Sequence, residues 1–514
     1  MYDTNTLAAA LRAASLGRDQ AVFARDAQDR VLRSYAMLWA NAEKTASALV
    51  AAGLQPGDRV AVQAPKTLEM LELYLGTILA GGVFLPLNPA YTGPEIGYFL
   101  ADAAPRIFVV DPAGMAAVAP HVGGVAEVWT LDAAGRGTLM ERRDAAPGFA
   151  GAVTRAETDL AAILYTSGTT GRSKGAMLSH RALLSNAATL AQVWEFSDRD
   201  VLIHALPIFH THGLFVATNV TLLAGGSLIF LPKFDAGAIL ATLSRATVLM
   251  GVPTFYSRLL EEPALAEAGK SVRLFISGSA PLLAETHDRW SAVTGHAIVE
   301  RYGMTETNMN TSNPVGAARK AGTVGKPLPG VEVIVTDPGS GQTLPAGEVG
   351  MIEVRGPNLF SGYWQMPEKT AEELRANGFL ITGDLGCYDA DGYLSIVGRS
   401  KDLIISGGFN IYPKEIELLI DEVEGVAESA VVGVPHPDLG EAVLAVIVTK
   451  PGSAITARDV VAALQGKLAR FKQPREVVMV EELPRNAMGK VQKAELRKTY
   501  AGLFAPKSMS KEPG

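Results

Sequence analysis

The sequence predicts an α/β protein: a large N-terminal part with parallel sheets, then an antiparallel β region, then a small α+β unit. Three observations predict it. Short apolar, β-branched runs alternate with helical patterns as far as about Pro327. From there the runs become short strands separated by Gly, Pro and Asp turns. Beyond Lys401 a compact mixture of helices and strands follows.

Each element has its own signal. Arg59–Gln63 reads as a strand, and Leu68–Leu79 as a helix stopped by Gly81 and Gly82. Pro94–Ala101 is helical, with Pro94 in the first turn, where its missing N–H costs little. Arg106–Val110, Leu160–Tyr165, Thr247–Val252 and Leu274–Ser277 are further strands. Val331–Thr336, Met351–Arg355 and Tyr393–Val397 form the antiparallel region. The C-terminal unit has a helix from Pro413, strands at Ser429–Val434 and Val443–Thr449, and a helix at Ala457–Leu468. The expected division is residues 1–399 and 400–514, the second an ordinary domain size.

Composition narrows the function. The 514 residues carry 46 Lys+Arg against 53 Asp+Glu, a net charge of −7, with 48% hydrophobic residues. That is a globular balance with length for about three folding units. Mild acidity disfavours a broad nucleic-acid surface. A single cysteine, Cys387, excludes an internal disulfide framework and an all-cysteine zinc site, and fits a cytoplasmic setting. The start, with Asp3 and no basic region, does not read as a secretory signal, and the end shows no lipidation or peroxisomal signal. Asp200 to Lys233 contains no charged residue between them. Pro207, three histidines, Asn219 and Gly225–Gly226 break it up, so a buried strand–loop–helix–strand is expected (Val201–Leu206, the histidine loop, Leu214–Leu223, Ser227–Leu231) and no membrane span.

The strand at Leu160 runs into Thr166, Ser167, Gly168, Thr169, Thr170, Gly171, Arg172, Ser173, Lys174 and Gly175. Glycines let backbone N–H groups turn toward an anion, hydroxyls donate to phosphate oxygens, and Lys174 adds a point charge. A strand-to-helix placement, suited to anion binding, is expected. The string is not a Walker A loop, because Lys174 follows Ser173 and precedes Gly175.

YTSGTTGRSKG resembles the phosphate-loop signature of the adenylate-forming superfamily, which includes acyl-CoA synthetases, adenylation domains and beetle luciferases. Further matches follow in the same order: LPIFHTHG (206–213), SGSAPL (277–282), YGMTE (302–306), TGD (382–384), GRSKDLIISGGFNIYPKEIE (398–417) and PRNAMGK (484–490). Within the superfamily, LIHALPIFHTHGLFVATNVTLLAGGS, LFISGSAPLLAETH and ERYGMTETNMNTSNP look like the malonyl-CoA synthetase branch.

The resemblance implies a two-step reaction: a carboxylate attacks the α-phosphate of ATP, then the thiol of coenzyme A displaces AMP. The first step joins two anions, so positioning and charge neutralisation must dominate. By resemblance, Lys490 bridges the carboxylate and the α-phosphate. Glu306 would hold Mg²⁺, which favours oxygen donors and few carboxylates. Thr305 would meet the α-phosphate and Tyr302 would stack on adenine. Ser279, Ala280 and Pro281 match the adenine floor. Asp384 can accept both ribose hydroxyls, and Arg399 matches a second ribose contact. Lys401 falls at the hinge about which the C-terminal domain rotates, carrying Ser406, Gly407 and Gly408 to the pantetheine tunnel.

Arg301 speaks to the acid. Relatives carry a small residue there; an arginine fills the space with a fork suited to a carboxylate. Ser279 stands where several relatives have glycine, and His210 matches the histidine beside the acyl carboxylate. A short diacid is expected, malonate first and methylmalonate next. An ion pair between Arg301 and the adjacent Glu300 is the ordinary alternative. Another short acid, loading of a carrier protein, and an inactive nucleotide-binding module are the competing functions. Zinc held by His204, His210 and His212 is disfavoured, because His204 falls on a strand outside the loop. Related synthetases are silenced by acetylation of this lysine, so the resemblance also implies a lysine acetyltransferase acting on Lys490, which would remove its charge.

Overall fold

A computed structural model describes residues 2, 4–166, 173–407, 409–485 and 490–504. The chain divides into two compact units. One comprises Met1–Val333 with Val354–Leu380, the other Ile334–Glu353 with Ile381–Gly514.

The first unit is built on two sheets. The six-stranded sheet runs, in spatial order, Glu127–Thr130, Ile107–Val110, Arg59–Gln63, Val83–Pro86, β1 (Leu160–Thr166) and β2 (Lys174–Ser179). All neighbours are parallel except β1 and β2. Its inner strands are unbroken apolar runs, such as Ile-Phe-Val-Val at 107–110, because helices cover both faces. The helix Leu68–Leu79 begins where Thr67 accepts a hydrogen bond from the Met70 N–H. Phe99, Phe108 and Ile163 lie in the core beside Tyr165, whose ring centroid is 4.6 Å from that of Phe99.

The nine-stranded sheet has a parallel centre made of β3 (Leu274–Ser277), β4 (Val299–Met304), Val248–Gly251, Val201–His204, Ser227–Phe230 and Val22–Arg25. Antiparallel strands finish both edges: Val31–Ser34 at one, β5 (Asn308–Ser312) and Lys326–Pro327 at the other.

The second unit holds most of a four-stranded sheet, including β6 (Leu380–Tyr388) and β7 (Leu394–Arg399), which pair antiparallel. Its C-terminal sheet pairs Val426–His436 with Gly440–Thr449, and Glu476–Val480 lies parallel to the latter. Helices Pro413–Asp421 and Ala457–Leu464 close a core of Ile416, Ile420, Val431, Ile447, Val460 and Leu464.

Two expectations need correction. The segment expected to bind phosphate is flanked by two antiparallel strands, with Thr166 opposite Lys174, and the strand before it is not followed directly by a helix. Lys-Gly-Ala-Met-Leu-Ser can pair with β1 along its whole length, so the helix starts only at His180, capped by Ser179. The expected helix at Leu214–Leu223 is a π-helical segment, His212–Thr218, followed by a short α-helix, Asn219–Ala224. A π turn of this kind often marks a functional site. Among the described residues, no helix is long and apolar enough to cross a membrane.

Candidate active site

Two groups of side chains in the first unit gather around the ends of β3 and β4. The first is polar and connected. Glu306 follows β4 and is buried. Its Oε1 lies 2.9 Å from the Tyr363 hydroxyl, whose single proton it shares with Glu373. The same hydroxyl lies 2.6 Å from Glu373 Oε2. Glu373 Oε1 in turn accepts from Lys174 Nζ at 2.9 Å, and that ammonium sits 4.0 Å from the centre of the Tyr363 ring. Burial pushes the Glu306 carboxyl above its ordinary value, against the hydrogen bond from Tyr363 and the charge of Lys174. For Glu373, burial is outweighed by hydrogen bonds from Tyr363 and Lys174, and its carboxyl falls below the ordinary value. A hard, buried oxygen donor whose charge is undercompensated suits a divalent cation.

The second group is centred on a buried cation. Arg301 is on β4 and only 3% exposed. Its Nε and Nη2 are buried without a hydrogen-bond partner. Burial pulls its pKa down from 12.5 to about 9, with slight relief from Tyr256. The neighbouring Glu300 does not pair with it. Successive strand residues point to opposite faces, and Glu300 Oε1 accepts from the Leu282 N–H at 3.2 Å. Around the arginine, the Ser277 hydroxyl and His212 Nε2 are buried and unpartnered as well. His212 Nδ1 is 3.3 Å from the Ser279 hydroxyl. Burial, then the charge of Arg301, holds His212 well below the ordinary imidazole range. Ser279 has φ of 73°, a left-handed conformation uncommon for a residue with a side chain.

Other expected residues fall as follows. Tyr302 is buried; Thr305, Ala280 and His210 are half-buried; Pro281 is exposed. His210 Nδ1 faces the His212 N–H at 3.4 Å. Thr166 ends β1, and its hydroxyl lies 3.4 Å from the Lys174 carbonyl. Ser167, Gly168, Thr169, Thr170, Gly171 and Gly408 lie outside the described residues. In the second unit, Asp384 on β6 pairs with Arg399 on β7, Oδ1 to Nε 2.8 Å. Lys401 is exposed in the turn Ser400–Asp402, Gly407 turns the hairpin after Ile404–Ser406 with φ of 57°, and Lys490 is exposed beside the bridge of Arg485 with Val491.

His204 is committed to the scaffold. Its Nδ1 faces Lys66 Nζ at 3.0 Å, and its Nε2 lies 2.9 Å from the Gly213 carbonyl. Both ring nitrogens are thereby used, which leaves no lone pair for a metal. Among the described residues, no group of three His, Cys, Asp or Glu is placed to hold a metal ion.

Tyr363, Glu373 and Gly278 carry no signal of a site role in the sequence, and His212 enters there only as a disfavoured zinc ligand. Tyr363 and Glu373 lie 57 and 199 residues along the chain from Glu306 and Lys174, the residues they touch. His212 carries the same local signal as His210.

Comparison with known proteins identifies the family. The AMP-binding enzyme model matches residues 10–364, and the AMP-binding enzyme C-terminal domain model matches 415–490. The structure superposes on ATP-bound MatB from Rhodopseudomonas palustris with a TM-score of 0.95, at 57% identity, covering 98% of this chain and 99% of that one. A malonate–CoA ligase of Arabidopsis thaliana is 36% identical over 493 residues, 87% of this chain and 79% of its own. A feruloyl-CoA synthase of an Amycolatopsis species is 37% identical over 472 residues, 91% and 94% of the two chains. With family models spanning both parts of the chain and relatives aligned along most of its length, this protein belongs to the AMP-binding enzyme family.

Proposed function

We propose that the chain is an AMP-forming acid–thiol ligase that joins malonate to coenzyme A through malonyl-adenylate, releasing pyrophosphate and then AMP, with methylmalonate as a second acid. One observation carries the choice of acid: Arg301 is a fully buried guanidinium with two unpartnered N–H donors. A buried cation without a counter-charge is costly, and the free carboxylate of a diacid supplies the missing partner. An alkyl or aryl acid would leave the same donors orphaned. The relatives named for malonate or superposing as MatB support the reading.

In this scheme the loop from Thr166 to Lys174, including Ser167, Gly168, Thr169, Thr170 and Gly171, cradles the phosphates. Thr305 donates to the α-phosphate. Glu306 would hold Mg²⁺, which neutralises charge on the phosphate oxygens when bound. Ser279, Ala280, Pro281 and Tyr302 enclose adenine. Asp384 and Arg399 take the ribose; their pairing sets the aspartate as acceptor and the arginine as donor. His210 orients the reacting carboxylate, while Arg301 and Ser279 hold the distal one. Lys490 bridges acid and α-phosphate in the first step. The mobile part is residues 400–514, turning at Lys401 and bringing Gly407 and Gly408 to the thiol path in the second step, with residues 1–399 as the fixed part. We place the protein in the cytoplasm, and Lys490, being exposed, is open to a lysine acetyltransferase.

The test is pyrophosphate release from ATP with a panel of short mono- and diacids, with and without coenzyme A. Malonate should exceed acetate and butyrate by at least about tenfold in kcat/KM, the cost of orphaned buried donors. Equal rates with monoacids would refute the diacid assignment. Pyrophosphate release without thioester would point to carrier loading, and no release with any acid to a binding module.

A further inference from the structure

Lys174 has a partner already. Its ammonium is 2.9 Å from Glu373 Oε1, in a pair whose side chains are 18% and 23% exposed. Glu373 is fixed from behind: Oε2 accepts from the Tyr363 hydroxyl, and Lys369 adds a second cation at 3.2 Å. A carboxylate held at this point faces two demands. It fixes the position of the lysine, and it neutralises the charge that the lysine would offer to phosphate. The two effects have opposite signs for nucleotide affinity, so the sign is measurable.

We propose that Glu373 is a resident competitor for Lys174: it holds the loop lysine until phosphate arrives, and so sets nucleotide and pyrophosphate binding weaker than the loop alone would give. The inference rests on the reading of residues 166–174 as the phosphate site. Its chemical logic is product release. Binding that stabilises substrate and product alike lowers KM without accelerating chemistry, and an over-tight pyrophosphate would stall the cycle. A built-in anion trims that uniform binding while leaving the lysine in place.

The experiment is calorimetric titration of ATP and of pyrophosphate, each with and without Mg²⁺, into the full-length wild type, Glu373→Gln, Lys174→Ala and the double variant. Glu373→Gln keeps shape and the bond to Tyr363 while removing charge. It should tighten both ligands by about three- to fivefold, the range of a partly exposed ion pair. Lys174→Ala should weaken both, and adding Glu373→Gln to it should change nothing further. Glu373→Ser, a second neutral variant, covers failure of the first to fold. Unchanged or weaker binding in the neutral variants would show a merely supporting carboxylate and overturn the proposal. So would equal tightening without Lys174, which would indicate a general charge effect. If the wild type takes up no ATP, the phosphate-site reading fails first and the inference falls with it.

Discussion

Gly278 and Arg301 occupy one space: a Cβ on residue 278 would lie 2.5 Å from the guanidinium carbon and 2.6 Å from Nε. The glycine is therefore required by close approach, since it lets an arginine lie flat on the backbone after β3. Gly278→Ala should push the guanidinium out of its seat. KM for malonate is expected to rise about tenfold or more, as when a buried charged contact is lost, with KM for ATP much less affected. Steady-state kinetics with each substrate varied in turn checks this; parallel rises in both would place the effect in folding.

The two unpartnered nitrogens of the Arg301 guanidinium imply a trade between stability and use. Removing a buried charge that lacks a partner relieves desolvation, and Met matches the arginine's bulk. Arg301→Met is expected to stabilise the ligand-free protein by about 1–3 kcal/mol while abolishing use of malonate. Denaturant melts with and without malonate test both halves. Malonate should protect the wild type and leave the variant unmoved. A destabilised variant would mean that Arg301 already has a satisfied structural role.

Acid should destabilise the protein through histidines buried in the neutral form. His180 opens its helix, where a positive charge is unwelcome, and its Nδ1 accepts from the Leu7 N–H at 3.3 Å. Burial, then the nearby Arg155, lowers its pKa from 6.5 to about 4. His204 and His212 shift the same way. The unfolded chain then binds more protons between about pH 4 and 6.5, so stability is full above pH 6.5 and falls as pH drops through that window. For His180 the shift corresponds to roughly 3 kcal/mol at most. His180→Asn, which keeps an acceptor near Nδ1, should flatten the fall in denaturation midpoint between pH 7 and 4. An unchanged slope would mean that other groups govern acid unfolding.

What the sequence could reveal followed from how locally each feature is written. The phosphate loop is a contiguous string, and its residue types alone carry an anion-binding reading. The inner strands are runs such as Leu274–Ser277, whose continuous burial matches their continuous apolarity. Lys174–Ser179 was harder: a short mixed run of Lys, Gly and Ser has no strand period of its own, and pairing with β1 makes it a strand. Arg301 stood out as a residue type, but its separation from Glu300 depends on strand parity. The link from Lys174 to Glu373 spans 199 residues, and no local pattern encodes it.

On the proposed scheme, loss of Lys490 should separate the two half-reactions. The lysine is exposed in the second unit, next to Val491, which forms a bridge with Arg485. An ammonium that neutralises charge between two anions matters only while those anions are being joined. Thioester formation from preformed malonyl-adenylate has no such encounter, because the attacking group is a thiol and AMP is leaving. Lys490→Ala is therefore expected to cut pyrophosphate release by about a hundredfold or more, the scale of one electrostatic contact at a transition state. Conversion of supplied malonyl-adenylate and coenzyme A to thioester should stay within a few-fold of wild type. Comparable loss in both assays would remove Lys490 from the adenylation step and assign it to binding or folding.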